Sequence, residues 1–140
     1  MPILLSVDHA ERAAYAVATG TITVADVQAH LNEEEANGGL GYRELIEASQ
    51  ATAALESHDV RRIADLLRRL GQKKSLGPTA IIVSDDLSYG TLRMLGTYLG
   101  GVCELRPFRL TERGESEQWL EFAPIAPARA LDVESPRDAR

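Results

Sequence analysis

Short apolar runs and one long amphipathic stretch divide the chain into alternating strands and helices. Residues 3–8 and 13–20 are short, mostly apolar runs typical of strands, and the four residues between them fit a hairpin. Residues 57–71 repeat apolar positions every three or four residues, which predicts a helix with one buried face. Residues 79–84 are almost continuously apolar, as in a strand that is covered on both faces.

The complete pattern has the order β-β-α-β-α-β-α-β-α. The predicted strands cover residues 3–8, 13–20, 43–49, 79–84 and 102–108, and the predicted helices begin at Thr23, at Ser57, at the Asp85–Asp86 pair and at Thr111. A hairpin followed by strands that alternate with helices favours a single α/β domain with a mixed sheet of about five strands and four helices. We expect this domain to span residues 1–122. Residues 123–140 are rich in proline and polar residues, which predicts a flexible C-terminal tail.

Composition excludes several classes of partner. The formal net charge of −6 gives no general attraction to nucleic acid or anionic membranes. The N-terminus has no basic segment before its short apolar run, and no stretch approaches the length of a membrane span, so we expect a cytoplasmic protein without membrane insertion. The single cysteine, Cys103, excludes an intrachain disulfide and is expected to be a small buried apolar residue.

Asp85 and Asp86 stand where a strand gives way to a helix, which is a common place for an anion site. A phosphate there would meet two carboxylates, with no glycine loop and no lysine. Each aspartate can instead accept hydrogen bonds from free N–H groups at the start of the helix. We call Asp85 and Asp86 the acidic corner, and the sequence predicts that it caps the helix.

The same region carries a family resemblance. The stretch "AIIVSDDLSYGTLRM", the later "CELRPFRL" and "EQWL", and the earlier "ATGTITVADVQAHL" and "GYRELIEASQAT" resemble, in order and spacing, a family of small bacterial proteins with the STAS-like fold of sporulation anti-sigma factor antagonists. The match covers roughly residues 3–120. It implies the STAS-like fold and, for most members with these motifs, no established biochemical role.

Two departures limit what the resemblance implies. Glu47 stands where the family has an aspartate at a strand end. The antagonists carry a "DSSGL" segment whose serine is phosphorylated, whereas this chain has "LESHDV" in that region. Ser57 is the candidate phospho-acceptor there, and because the flanking pattern is missing we do not expect it to be one.

Motifs for catalysis, cofactors and metals are absent from the sequence. His9, His30 and His58 lack metal-ligand spacing and are expected to be solvated surface residues, so no metal site is predicted. Cys103 has no neighbouring base, and no phosphate-binding glycine loop or nucleophile motif occurs. We therefore expect a protein that is not an enzyme and binds no cofactor.

The basic residues of the helix at residues 57–71 are expected on its solvated face. Asp65 is four residues from both Arg61 and Arg69, which predicts ion pairs along this face. This explanation is preferred to a nucleic-acid patch, because the strands offer no interleaved aromatic residues.

The helix after the acidic corner carries a candidate interaction surface. Its broad apolar face is predicted to hold Leu87, Thr91, Met94, Leu95, Tyr98 and Leu99. Gly90, Arg93 and Thr97 share a second, narrower face, with Tyr89 beside them. Each glycine inside a helix costs about 1 kcal/mol, so a reason for it is expected. Either a glycine lets the helix approach its neighbour closely, or this face binds a partner through Arg93; in the competing account Arg93 holds an internal carboxylate such as Glu47.

These features predict a non-enzymatic STAS-like regulatory or protein-interaction module with a protein partner or a homodimer. The alternative is a carrier or sensor of a small apolar ligand, because such folds are grouped with CRAL-TRIO lipid carriers. That alternative requires an apolar cavity on the order of 300 Å³ or more.

Overall fold

The computed structural model describes residues 2–53, 55–123 and 125. The strands are β1 (Ile3–Asp8), β2 (Ala13–Ile22), β3 (Arg43–Ala53), β4 (Thr79–Val83) and β5 (Leu105–Arg109); the helices are α1 (Val24–Ala36), α2 (Ser57–Lys73), α3 (Asp86–Tyr98) and α4 (Arg113–Phe122). The strand order in the sheet is β1-β2-β3-β4-β5; β1 is antiparallel to β2, and the other neighbours are parallel. The predicted α/β fold with a mixed five-stranded sheet and four helices is confirmed.

The helices cover the two faces of the sheet unequally. α1, α2 and α3 pack on one face and form the larger core, whereas α4 packs on the other face over β3, β4 and β5. Alternate residues of β4 pack on opposite faces of the sheet. Ile81 and Val83 belong to the larger core, while Ala80 and Ile82 pack beneath α4. This explains why residues 79–84 are almost continuously apolar.

Several element boundaries differ from the sequence expectations, including the ends of β2 and β3, which extend to Ile22 and Ala53. Predicted residues 102 and 103 of the last strand instead close α3, since the N–H groups of Val102 and Cys103 donate to the carbonyl of Leu99. The N-cap of α2 is Glu56 rather than Ser57, and Thr111 lies in a short 3₁₀ turn before α4 instead of capping it. At α1 the predicted capping box of Thr23 and Asp26 is present.

The first residue of the expected tail packs against the rest of the chain. Ala123 is buried, and its carbonyl accepts a hydrogen bond from the Arg43 guanidinium. Of the predicted tail at 123–140, residue 124 and residues 126–140 lie outside the described residues. Among the described helices, none has both the length and the apolar character to cross a membrane.

Candidate functional site

A histidine and two glutamates meet in the interior between α1 and β3. His30 and Glu34 are one turn apart on α1, so both side chains lie on the same face of the helix. Glu44 is the second residue of β3, and the pleat places it with Ile46 and Ala48 on the helix-covered face. We call His30, Glu34 and Glu44 the buried cluster, since their residues are 4–5% exposed.

The sequence-based expectation of solvated histidines is wrong for His30. His9 and His58 are exposed as expected, whereas His30 lies 5% exposed beneath the neighbouring elements. The physical reason is that α1 turns this face toward the sheet, where Val27 and Leu31 also pack. The sequence-based prediction placed the polar residues of α1 on its solvent-exposed face.

Hydrogen bonding within the buried cluster is incomplete. His30 Nε2 and Glu44 Oε2 share a hydrogen bond of 2.8 Å, and the same nitrogen lies 3.9 Å from Glu34 Oε1. The donor of that bond depends on protonation: Nε2–H donates to an ionised Glu44, whereas a protonated Glu44 donates to Nε2. Nδ1 is buried and has no hydrogen-bond partner among the described residues. A buried polar atom of this kind is uncommon and requires an explanation.

Burial controls the protonation of the buried cluster. Desolvation, reinforced by the neighbouring Glu44 carboxylate, raises the pKa of Glu34 to about 10. Desolvation also raises the pKa of Glu44 to about 7, although a hydrogen bond from Glu34 opposes it. For His30, desolvation lowers the pKa, so the imidazole is neutral at pH 7. At neutral pH the cluster thus holds a protonated Glu34, a neutral His30 and a Glu44 near its midpoint.

An apolar cavity of about 140 Å³ adjoins the buried cluster and extends between the sheet and the helices. Its sheet wall combines the small residues Ala18, Ala48 and Ala51, which leave space that larger side chains would fill, with larger ones such as Ile46 and Ile81. Residues of all three covering helices complete the wall. His30, Glu34 and Glu44 place the polar groups at one part of this lining.

The predicted interaction surface lies on α3. We call Tyr89, Gly90, Arg93 and Thr97 the α3 patch. Gly90, Arg93 and Thr97 are exposed, while Tyr89 is half-buried with the Arg109 guanidinium 4.2 Å from its ring centroid. Arg93 forms no ion pair with any described residue. The patch therefore combines an accessible cation with an aromatic ring.

The two glycines of α3 have different surroundings. A Cβ atom on Gly96 would lie 2.6 Å from the carbonyl oxygen of Leu105, so Gly96 permits close contact between α3 and β5. A Cβ atom on Gly90 would meet nothing within 4 Å. The close-approach explanation thus applies to Gly96 and not to Gly90.

One expectation about the apolar face of α3 is wrong. Leu87 is 69% exposed, and Ser88 and Leu92 are buried in its place. Glu47, the carboxylate named in the competing account of Arg93, instead contacts Arg113 and Ser49.

The acidic corner caps α3 as predicted. Asp85 is the N-cap, and its Oδ1 accepts a hydrogen bond from the Ser88 N–H at 2.7 Å. Asp86 lies in the first turn and pairs with Arg109 at 2.6 Å. Asp85 therefore caps the helix as predicted, whereas the Asp86 carboxylate has the Arg109 guanidinium as its partner among the described residues.

Three other residues considered in the sequence, Cys103, Ser57 and Asp65, have ordinary surroundings. Cys103 is buried, and burial raises the pKa of its thiol to about 11, which leaves it unreactive. Ser57 is exposed at the first position of α2. Asp65 pairs with Arg68 at 2.9 Å rather than with Arg61 or Arg69 as predicted.

Comparison with known proteins identifies the fold. No family model and no curated protein matches the chain. Among solved structures, the chain is similar to an uncharacterised protein of the DUF3478 family with a SpoIIAA-like fold from Shewanella loihica PV-4. The two share 19% sequence identity with a TM-score of 0.56, over 84% of this chain and 93% of that one. The chain therefore has the SpoIIAA-like, STAS-like fold that its motifs resemble, and nothing in that likeness indicates an enzymatic activity.

Proposed function

We propose that this protein is a non-enzymatic STAS-like regulatory module that binds an acidic protein surface, on a partner or on a second copy of itself, through the α3 patch. The observation that carries the proposal is the open side of α3 at Gly90 and Arg93. A glycine inside a helix lowers stability, and no close contact within the described part of the domain explains Gly90.

The chemistry of the patch fits protein recognition. Arginine and tyrosine are enriched among the residues that dominate binding energy at interfaces. Arg93 has its charge free for an incoming carboxylate, and Gly90 lets another backbone approach the helix. The stacking of Arg109 on Tyr89 holds an aromatic face beside them.

Replacing Arg93 by Glu is expected to weaken association while the monomer still folds. The side chain is exposed and unpaired among the described residues, so the substitution removes an intermolecular contact without disturbing the core. Sedimentation velocity over a range of concentrations measures association, and circular dichroism with thermal melting measures folding. At an interface of this kind the loss is expected to reach about tenfold or more in dissociation constant.

Arg62→Glu is the matched control, because Arg62 is an exposed arginine on α2 and the charge change is the same. It is expected to leave association unchanged. If the wild type is monomeric and both variants retain the same set of host proteins in a pull-down, the α3 patch is not the binding surface. A lower melting temperature for Arg93→Glu at unchanged mass would instead indicate a structural role.

The apolar cavity favours binding of a small apolar ligand as a second candidate function. Its volume of about 140 Å³ is less than half of the roughly 300 Å³ expected for a drug-sized or lipid-sized ligand. Cavities of about 150 Å³ with apolar linings bind benzene. The second candidate is thus a sensor of a ligand about the size of benzene.

Benzene is the direct probe of the cavity. At ten times its dissociation constant, it is expected to stabilise the folded protein by about 1.4 kcal/mol, seen as a higher melting temperature. Ala51→Val places two methyl groups against the cavity and is expected to reduce this response, whereas Ala25→Val on the exposed side of α1 is not. An equal response from all three proteins would show that benzene binds elsewhere.

A further inference from the structure

The buried cluster brings one nitrogen and two oxygen donors to a single point. One donor atom from each residue lies within 4.8 Å of the other two. His30 Nε2 lies 2.8 Å from Glu44 Oε2 and 3.9 Å from Glu34 Oε1, and these separations bracket the roughly 3.3–3.6 Å expected between ligand atoms around a tetrahedral ion with bonds of about 2.0–2.2 Å. Small side-chain movements would therefore complete the coordination.

The negative charges of Glu34 and Glu44 can be neutralised in two ways. Isolated carboxylates in an apolar interior are costly, so each must be protonated or paired with a cation. No lysine or arginine pairs with Glu34 or Glu44 among the described residues. Two bound protons, or one divalent cation together with a neutral imidazole, would each make the site neutral.

A second observation is independent of the carboxylates. The His30 side chain is 5% exposed, and its Nδ1 has no hydrogen-bond partner among the described residues. His30 also lines the cavity of about 140 Å³, which has room for water or another small molecule. The imidazole is therefore buried at the boundary between the carboxylates and an internal space, with hydrogen-bonding capacity unused.

We propose that His30, Glu34 and Glu44 bind a divalent transition-metal cation of the zinc class, with a further coordination position open to the adjoining cavity. Imidazole and carboxylate together suit zinc and its first-row neighbours, whereas calcium and magnesium prefer sites built from oxygen alone. His30 and Glu34 form an i, i+4 ligand pair on one helix face, and Glu44 reaches the same point from the sheet.

The segment between α1 and β3 covers the site. The Gly39 N–H donates to the carbonyl of Glu34 at 2.8 Å, and a Cβ atom on Gly39 would lie 3.7 Å from Cγ of Glu34. Leu40 and Tyr42 of the same segment line the cavity. Because the ligands are buried, an ion reaches them only when the structure opens locally. We expect this opening in the glycine-containing segment between α1 and β3, which lies beside the site.

Cobalt(II) and zinc(II) are the probes that test the site in the full, metal-stripped chain. Cobalt bound by this donor set is expected to give visible absorption typical of a low-coordinate site, and zinc to displace it. Glu34→Gln and Glu44→Gln each remove one charged ligand while keeping the side-chain shape. Each is expected to weaken binding by at least tenfold, because even the loss of a residue that only orients a ligand costs about 10–100-fold in metal affinity.

Glu35→Gln is the matched control, since Glu35 is the next residue on α1 and is exposed. It is expected to bind cobalt as the wild type does. Circular dichroism establishes that each variant folds; Glu34→Gln replaces a neutral carboxyl by a neutral amide and carries the test even if Glu44→Gln does not fold. The proposal is overturned if the wild type gives no cobalt absorption and no zinc-dependent rise in melting temperature, or if both variants bind as tightly as the control. Arg93→Glu is expected to bind metal normally, so this result is separate from that for the α3 patch.

Discussion

Raising the pH from 7 to 9 is expected to lower the stability of the metal-free protein, through Glu34. The folded-state pKa of Glu34 is raised to about 10, while its unfolded value is near 4.5. Its stabilising contribution is therefore fully present below pH 4.5 and decreases as the pH rises toward 10, because the unfolded chain releases a proton that the folded chain retains. The slope from one such group is up to about 1.4 kcal/mol per pH unit.

Other buried groups contribute mainly outside the lower part of this window. Below pH 7, Glu44 contributes a slope of the same sign, since its pKa is raised to about 7. His30 has a lowered pKa, so below its unfolded value of 6.5 it contributes a slope of opposite sign. Above pH 7 both of these contributions fade, and near pH 9 the Cys103 thiol, whose pKa is raised to about 11, adds a slope of the same sign as Glu34.

Urea unfolding at a series of pH values, with a chelator present, measures the slope. Glu34→Gln cannot titrate and is expected to flatten the curve between pH 7 and pH 9. Glu35→Gln changes the formal charge equally on the exposed side of α1 and is expected to keep the wild-type slope. Parallel curves for the wild type and Glu34→Gln would show that Glu34 ionises freely in the folded protein.

The order of elements was predictable from the sequence because the hydrophobic periodicity is strong in several segments. The apolar stripe at Val60, Ile63 and Leu67 and the continuous run of β4 each allow one interpretation. Boundaries were less accessible, as at Val102 and Cys103, because an apolar turn that closes a helix resembles the start of a strand. The exposure of Gly90, Arg93 and Thr97 was also predictable, since helical spacing alone places them on one side.

The buried cluster was missed because it violates the pattern on which those predictions rest. His30 and Glu34 occupy the sheet-facing side of α1, where apolar residues are expected. One signal was present: period-two alternation in β3 places Glu44 on the same face as Ile46 and Ala48, which puts a carboxylate in the core. Polar residues in such positions lower the stability of the fold, and positions of this kind are expected at functional sites.

The two glycines of α3 are expected to respond to alanine in opposite directions. At Gly96 the added methyl group would lie 2.6 Å from the backbone oxygen of Leu105, so α3 must move away from β5. Overpacking of this kind costs about 1–3 kcal/mol. The gain in helix propensity offsets up to about 1 kcal/mol of that cost. We therefore expect a net loss of stability for Gly96→Ala.

Gly90→Ala is the internal control on the same helix. The added methyl group meets nothing within 4 Å, so the gain in helix propensity is unopposed and stability is expected to rise by about 0.5–1 kcal/mol. Urea unfolding of both variants under one condition measures the difference. If Gly90→Ala is destabilised like Gly96→Ala, the open side of α3 is closed by a contact within the chain. A more stable Gly90→Ala leaves that side free, and a larger residue such as Leu at Gly90 is then expected to weaken association as Arg93→Glu does.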